Sequence, residues 1–246
     1  MTVGDQTALI TGASRGIGKA IAVNFASNGI NIIATGRNKQ RLKVLEKELT
    51  AYDIDARVID SDLGSECGTD HVYNFVRDND LDVDILVNNA AIIHPVVSLK
   101  DFDMEEWEHV IKVNLIGSVA LTKLIIPGMI SRGHGKIINI SSVGGRKGAS
   151  GRSAYRASKA GLISFTESLA AELKSHGIDV NCVCPGAVAT EGYAEAFGPE
   201  SVKNKNMMDP AEIAELCYFL AGPKSSSVTG AIIDAYGASN PLFHNQ

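Results

Sequence analysis

The sequence has few of the residues that form metal sites and disulfide frameworks. Its four cysteines, Cys67, Cys182, Cys184 and Cys217, include no Cys-x-x-Cys pair, and its six histidines show no His-Glu-x-x-His spacing. Cys182 and Cys184 lie two residues apart in an apolar run, so on a strand both point to the same face. We therefore expect buried, reduced thiols and no metal site.

Signals for a membrane or for export are also missing. Residues 1–10 lack the basic and apolar segments of a signal peptide, and no stretch approaches the ~18 apolar residues that span a bilayer. The formal net charge of -5 argues against nucleic acid or an anionic membrane as the main partner. With 45% hydrophobic and 21% charged residues, the composition is that of a globular protein. These features favour a cytoplasmic protein that acts on a small molecule.

Short apolar runs alternate with longer amphipathic patterns along almost the whole chain. Strands are predicted at residues 7–11, 30–35, 56–61, 84–88, 136–141, 178–184 and 231–234. Helices are predicted at residues 19–27, 39–52, 67–79, 104–131, 154–175 and 210–220. This alternation predicts an α/β fold, a Rossmann-like doubly wound parallel sheet of about seven strands with helices on both faces. No linker-like segment divides the chain, so residues 1–246 are predicted to form a single domain.

A glycine-rich turn follows the first predicted strand directly. Without Cβ atoms, its glycines let backbone N–H groups approach a pyrophosphate, and the following helix adds the positive end of its dipole. The position between a strand and a helix, at the start of a βαβ unit, is the context that a dinucleotide site requires. The turn predicts a cofactor site formed by Gly12, Ser14, Arg15, Gly16, Ile17 and Gly18.

The end of the second strand favours a phosphorylated cofactor. A carboxylate there would accept the ribose 2′-hydroxyl of NAD, but after Arg37 none occurs before Glu46. Arg15 and Arg37 could converge on a 2′-phosphate through their guanidinium groups, the alternative being two solvated side chains. We therefore predict NADP(H) as the preferred cofactor, with NAD(H) as the alternative.

A tyrosine and a lysine lie four residues apart on one predicted helical face. A cation near the phenol of Tyr155 favours its ionised form, and of the six tyrosines only this one has a lysine, Lys159, at that spacing. Ser142 follows the fifth strand, at the carboxyl edge where open α/β sheets bind ligands. Asn114 lies within a long apolar helix, where it is either part of a site or a satisfied buried amide.

These motifs together resemble the short-chain dehydrogenase/reductase family, whose members carry a TGxxxGxG turn and a Tyr-x-x-x-Lys pair; the resemblance spans about residues 7–237. It implies that Tyr155 is the general acid/base and that Ser142 polarises the substrate carbonyl. It also implies that Lys159 binds the nicotinamide ribose and lowers the tyrosine pKa, while Asn114 holds a water that relays protons.

The resemblance extends the cofactor site and suggests an assembly. It places Asp62 and Leu63 at the adenine edge, and it matches residues 88–91 to an NNAG segment in which Ala91 replaces the glycine. Relatives usually assemble through their two long helices, so a homotetramer, or a dimer, is expected. The further cofactor contacts that the resemblance implies are Asn88, Ala90, Pro185, Gly186, Val188 and Thr190.

Four segments are predicted to line the substrate pocket: residues 92–97, 143–152 and 187–197 and the carboxyl terminus. The expected lid, about residues 191–208, is short for the family and carries Glu191-Gly192 where relatives often have Asp-Met, so we expect an open pocket. Arg152, with Arg146 as a second candidate, would favour an oxygen-rich or anionic substrate if it faces the site rather than solvent.

The expected activity is NADP(H)-dependent interconversion of a carbonyl and a secondary alcohol of the ketone, sugar or polyol type. The alternative is a 3-oxoacyl-(acyl-carrier-protein) reductase. The acidic charge balance and the sequence Ala170-Ala171-Glu172, where such reductases often carry a basic residue, argue against it. A more distant alternative is a non-catalytic cofactor sensor, which would be expected to lose the tyrosine or the lysine.

Overall fold

The computed structural model describes residues 6–203 and 206–238, which are built around one parallel β-sheet. The strand order is β3-β2-β1-β4-β5-β6-β7, and every neighbouring pair runs parallel. This arrangement confirms the predicted Rossmann-like α/β fold. The strands are β1 (Thr7–Thr11), β2 (Asn31–Gly36), β3 (Ala56–Asp60), β4 (Ile85–Asn88), β5 (Gly135–Ile140), β6 (Ile178–Pro185) and β7 (Ile232–Ala235).

Helices cover both faces of the sheet. Helices α1, α2 and α8 pack on one face, and α3, α5 and α6 pack on the other, as expected when parallel strands are joined by helical crossovers. The helices are α1 (Gly16–Ser27), α2 (Lys39–Leu49), α3 (Gly68–Asp78), α4 (Met104–Ile111), α5 (Gly117–Arg132), α6 (Ser153–Leu173), α7 (Glu191–Phe197) and α8 (Pro210–Ala221).

Alternate residues of each central strand enter the two opposite cores. In β1, Ala8 and Ile10 face the side of α1 and α8, whereas Leu9 faces the side of α3 and α5. All three are fully buried. A strand buried on both faces reads as a continuous apolar run, which is why the strands were recognisable in the sequence.

The long helical stretch at residues 104–132 differs from a regular helix. A π-helical turn, Lys112–Ile116, separates α4 from α5 and was not predicted. By length and composition alone this continuous stretch could cross a membrane, contrary to the expectation that no apolar segment is long enough. Its packing is that of a core helix, because α5 contacts α3 and α4 contacts α6.

The cysteines are placed largely as the sequence suggested. Cys182, Cys184 and Cys217 are buried, but Cys67 is exposed just before α3. The Sγ atoms of Cys182 and Cys184 lie 3.8 Å apart, on the same face of β6. Within residues 6–203 and 206–238, no cluster of three or more potential ligands could hold a metal ion.

Candidate active site

A cavity of about 900 Å³ opens at the carboxyl ends of the strands. It lies where the strand order reverses between β1 and β4, which is the usual ligand site of open α/β sheets. Hydrogen bonds of the Thr11 side chain connect β1 to the end of β4 at this point. Its hydroxyl donates to the carbonyl of Val87 and accepts hydrogen bonds from the N–H groups of Asn89 and Ala90.

The glycine turn forms one wall of the cavity. Gly12 has a φ of +65°, and a Cβ atom there would lie only 2.8 Å from the Cα atom of Ala90, so both its conformation and its surroundings require glycine. Gly16 begins α1 with a φ of +55°, against the side chain of Thr190. The turn thus opens onto the amino terminus of α1, as predicted for a phosphate site.

A cluster of arginines lies on the cofactor side of the cavity. Arg15 forms a two-pronged ion pair with Glu195 of α7, and Arg37 and Arg41 lie near the same carboxylate. The hydrogen bond from Arg15 is the main cause that lowers the pKa of Glu195, and Arg41 and Arg37 act in the same direction. Arg15 alone bonds to Glu195, while the exposed Arg37 and Arg41 act on this carboxylate through space.

Ser142 and Tyr155 meet at the carboxyl end of β5. Ser142 precedes a short 3₁₀ turn, and its hydroxyl accepts a hydrogen bond from Gly144 N–H at 2.9 Å. Desolvation raises the pKa of Tyr155 and outweighs the opposite effects of the Ser142 hydrogen bond and the nearby Arg152 and Arg156. The net direction is opposite to that expected from the tyrosine–lysine spacing, because burial of the hydroxyl is the larger effect.

Lys159 is buried directly behind the tyrosine. Its Nζ donates to the carbonyl of Ile140 at 2.7 Å and lies 5.8 Å from the centre of the Tyr155 ring. Burial lowers the pKa of Lys159 to about 8. The ammonium is therefore held by a backbone carbonyl at the end of β5, at the inner wall of the cavity.

Asn114 lies in the π-helical turn and has all its amide hydrogens engaged. Its side chain accepts a hydrogen bond from Ile92 N–H at 2.7 Å and donates to Ile92 O and to the hydroxyl of Ser158, both at 3.1 Å. The wide turn is the local feature that brings this amide against the segment after β4 and against α6. Such π turns recur at functional sites.

The cavity brings together most of the residues singled out in the sequence. Three of them, Gly18, Asn88 and Asn114, do not line it. A Cβ atom on Gly18 would collide with Gly12 O and Asn89, so this glycine permits close packing, while Asn88 donates to Thr122 and Asn139 inside the protein. Those that line the cavity are Gly12, Ser14, Arg15, Gly16, Ile17, Arg37, Asp62, Leu63, Ala90, Ser142, Tyr155, Lys159, Pro185, Gly186, Val188 and Thr190.

Only parts of the predicted substrate segments line the cavity: residues 92–93 of 92–97, residues 143, 144 and 152 of 143–152, and most of residues 187–197. Arg152 lines the cavity, whereas Arg146 bonds to Asp234 and to the carbonyl of Ile232 and is not part of the lining. The lid is the short helix α7 followed by a 3₁₀ turn at Pro199–Lys203. The proposed contribution of the carboxyl terminus falls on residues 239–246, outside the described part of the chain.

Several lining residues were missed in the sequence. Asn89 donates to the carbonyls of Thr11 and Gly12, and it was overlooked beside Asn88. Arg41 lies in the first turn of α2, close to the end of β2, and could have been found as a second basic residue near Arg37. Glu195 and Phe197 fall in the predicted lining segment 187–197, but their individual contacts with Arg15 and Arg152 could not be foreseen because they depend on the path of the lid.

Comparison with known proteins agrees with this geometry. The short chain dehydrogenase family model matches residues 6–200. The chain is 37% identical over 243 residues to a 3-oxoacyl-(acyl-carrier-protein) reductase of Aquifex aeolicus, covering 94% of this chain and 96% of the relative. It is 35% identical over 234 residues to an acetoacetyl-CoA reductase of Cupriavidus necator, covering 92% and 94%.

A solved structure extends the likeness to three dimensions. A single-residue variant of actinorhodin polyketide ketoreductase, with NADPH, superposes with a TM-score of 0.86 at 32% sequence identity, covering 97% of this chain and 99% of that one. Sequence, fold and cavity thus point to one family. The chain belongs to the short-chain dehydrogenase family and is an NAD(P)-dependent oxidoreductase that acts on CH–OH groups.

Proposed function

We propose that this chain interconverts a carbonyl and a secondary alcohol with NADP(H), and that Tyr155 is its general acid/base. The observation that carries the proposal is the meeting of Ser142, Tyr155 and Lys159 in one cavity with the glycine turn. The position of the site at the carboxyl edge of β5 agrees with the ligand site of open α/β sheets. The bound nicotinamide would supply or accept the hydride.

Each side chain has a role that its surroundings support. In the direction of reduction, the Tyr155 hydroxyl donates its proton to the substrate oxygen, and the Ser142 hydroxyl donates a hydrogen bond to the same oxygen. The raised pKa keeps the phenol protonated and therefore ready to act as an acid. Lys159 lies where it could bind the nicotinamide ribose and offset the burial of the phenol. Asn114 positions the wall of the site through Ile92, and its water-relay role stays a prediction.

The preference for NADP(H) is supported by the arginine cluster. Arg15, Arg37 and Arg41 all line the cavity, Arg15 already holds the Glu195 carboxylate, and a 2′-phosphate is likewise an anion that guanidinium groups bind. Within the described residues, β2 ends at Gly36 without a carboxylate that would select the 2′-hydroxyl of NAD. NAD(H) is the less favoured cofactor on this ground.

The expected substrate is a small ketone, sugar or polyol, and the second candidate is a 3-oxoacyl thioester on an acyl carrier protein. The relative from Aquifex aeolicus bears that second name. Arg156 lines the cavity and donates to the carbonyl of the exposed Lys147, and two neighbouring basic residues beside the cavity would favour an acidic carrier. The distant alternative, a cofactor sensor without catalysis, has no support from these relatives, which are named as reductases.

The expected setting of the enzyme rests on the family resemblance and on the charge and composition of the chain. We propose a cytoplasmic homotetramer, or a dimer, built through the two long helical stretches and acting on a small molecule, with no nucleic-acid or membrane partner. Sedimentation of the purified protein would measure the assembly. A monomer at micromolar concentration would contradict it.

The test of the activity is consumption of NADPH and NADH against aldehydes, ketoses, diketones and acetoacetyl thioesters. We expect turnover with NADPH to exceed that with NADH, and the Tyr155→Phe variant to lose about 10²- to 10⁴-fold in kcat while still binding NADPH. A Tyr155→Phe variant as active as the wild type would show that Tyr155 is not the general acid/base. An equal or higher affinity for NADH would remove the cofactor preference.

A further inference from the structure

Arg152 places a buried guanidinium in the substrate half of the cavity. It precedes α6, three residues before Tyr155, and only 8% of it is exposed. Its central carbon lies 4.7 Å from the centre of the Phe197 ring and 5.2 Å from that of Tyr155. The guanidinium therefore contacts both the Phe197 ring of the lid and the ring of Tyr155.

The charge of Arg152 has no acidic partner in the part of the chain that the structure describes. Its one recorded hydrogen bond goes from Nη1 to the backbone carbonyl of His94. A guanidinium carries five N–H donors, and burying such a charge without an anion is costly. Desolvation accordingly lowers the pKa of Arg152. Donors remain for a ligand that enters the cavity.

Three other arginines form ion pairs with carboxylates of the protein. Arg15 pairs with Glu195, Arg132 with Asp82, and Arg146 with Asp234 at 3.0 Å. All three pairs involve side chains more exposed than Arg152. The most buried of these four guanidinium groups is thus the one without a carboxylate.

His94 fixes Arg152 but does not neutralise it. The Nε2 atom of His94 faces the N–H of Tyr155 at 3.3 Å, and Nδ1 lies 2.6 Å from the carbonyl of Pro95. The neutral tautomer with a proton on Nδ1 satisfies both contacts. Burial, the largest effect, and the charge of Arg152 lower the pKa of His94, so the ring is neutral beside the arginine.

We propose that Arg152 binds a carboxylate of the substrate, and that the substrate is a short oxo acid reduced to a hydroxy acid. The planar guanidinium fork matches a carboxylate, and its closeness to Tyr155 puts only a few bonds between that carboxylate and the carbonyl. The carbonyl carbon gains a hydride from NADPH, its oxygen gains the Tyr155 proton, and the carboxylate is unchanged.

This inference rests on the proposed function and names its substrate class. It also separates the two candidate substrates, because an acyl thioester is neutral where a free acid is charged. A neutral thioester would leave the guanidinium without an anion. The inference therefore favours a small acid over a carrier-bound acyl chain.

The test compares acids with their neutral esters. The probes are 2-oxobutanoate, 3-oxobutanoate and 4-oxopentanoate, each beside its methyl ester, with NADPH consumption as the readout. We expect at least one acid to exceed its ester in kcat/KM by about 10- to 100-fold, the worth of a charge-assisted hydrogen bond. The Arg152→Gln variant should lose that preference through a rise in KM that is about 10- to 100-fold larger for the acid than for its ester. The same acid-to-ester ratio in both proteins would overturn the proposal.

Arg146→Gln is the matched control, because Arg146 lies outside the cavity lining. It should keep the acid-to-ester ratio of the wild type. If Arg152→Gln does not fold, Arg152→Lys decides, since it keeps the charge but not the fork. A rise in KM for the acid alone supports the proposal, whereas equal losses of kcat/KM for the acid and for its ester contradict it.

Binding separates this proposal from the catalytic one. Binding of 3-hydroxybutanoate and of its methyl ester to the NADP⁺ complex would be measured by calorimetry and by the fluorescence of Trp107, the one tryptophan. Trp107 is close to the proposed site, because its indole N–H donates to the hydroxyl of Ser153, next to Arg152. Acid binding that needs Arg152, without turnover of any carbonyl, would keep the carboxylate site and reject the proposed activity. If none of the three oxo acids outperforms its ester and 3-hydroxybutanoate does not bind, the proposal is wrong.

Discussion

The arginines in the two halves of the cavity differ in whether a carboxylate of the protein pairs with them. On the cofactor side, Arg15 is paired with Glu195, and Arg37 and Arg41 lie close to the same carboxylate. On the substrate side, Arg152 has only a backbone carbonyl and two aromatic rings around it. One half therefore contains its own anion, and the other contains none among the described residues.

This difference separates two ways of selecting a ligand. An anion that enters the cofactor half has to displace the Glu195 carboxylate, which reduces the net gain from Arg15. An anion that enters the substrate half gains the full interaction with a desolvated guanidinium, because no internal pair is broken. Lys159 is a third case, a buried ammonium bonded to the carbonyl of Ile140.

The largest expected effect concerns the stability cost of Lys159. In the folded protein the Lys159 ammonium has a pKa of about 8, whereas its ordinary value is 10.5. Between pH 8 and 10.5 the unfolded chain therefore binds more protons than the folded protein. Stability must then rise with pH in that window, and the cost is present in full below pH 8. We expect the free energy of unfolding to rise by about 2 kcal/mol more in the wild type than in Lys159→Met between pH 8 and 10.

Chemical denaturation at each pH measures this difference. Lys123→Met, on the solvent side of α5, is the control and should follow the wild type. If the free energy of unfolding depends on pH in the same way in the wild type and in Lys159→Met, burial does not lower the pKa of this lysine. Lys159 could then no longer be compared with Arg152 as a cation that is costly to bury.

A second expectation sharpens the account of the cofactor half. Arg37→Asp removes one guanidinium and places a carboxylate at the end of β2, where it can accept a ribose hydroxyl and repel a phosphate. The Kd for NADPH should rise about tenfold or more, while that for NADH stays equal or falls. Fluorescence titration with both cofactors checks this. Equal losses for NADPH and NADH would show that Arg37 does not read the 2′-phosphate.

The smallest expected effect is at Glu195. Arg15 and Glu195 are partly exposed, with side-chain exposures of 31% and 60%, so their ion pair is worth less than about 1 kcal/mol. Glu195→Gln should therefore tighten NADPH by about two- to fivefold and leave NADH unchanged. Glu200→Gln, in the same lid but paired with Lys203, should change neither. A weaker affinity for NADPH in Glu195→Gln would show that the carboxylate assists the cofactor instead of competing with it.

Most of the cofactor half could be predicted from the sequence because its residues are close together along the chain. The turn at residues 12–18 follows a recognisable buried strand, and Tyr155 and Lys159 share one helix. Alternating apolar runs were enough to predict the sheet and the helices on both its faces. The boundaries were less certain: α1 begins at Gly16, three residues earlier than predicted, because the turn itself forms the first helical turn.

The contacts of the lid and of the substrate half could not be predicted to the same depth because they join distant residues. Arg15 and Glu195 are 180 positions apart, and the stacking of Phe197 on Arg152 depends on the path of the lid. The π turn around Asn114 lets this side chain bond to Ile92 and Ser158, contacts that helical periodicity does not reveal. The sequence singled out Arg152 but left open whether it faces solvent or the site.

Helix α7 has a consequence for exchanging parts between related enzymes. Within seven residues it carries Glu195, which meets the glycine turn, and Phe197, which covers Arg152. A graft that changes its length or phase would move both contacts at once. The proposed cofactor preference and the proposed carboxylate site would therefore both depend on this one helix, and an engineer would have to transfer residues 190–198 as one unit.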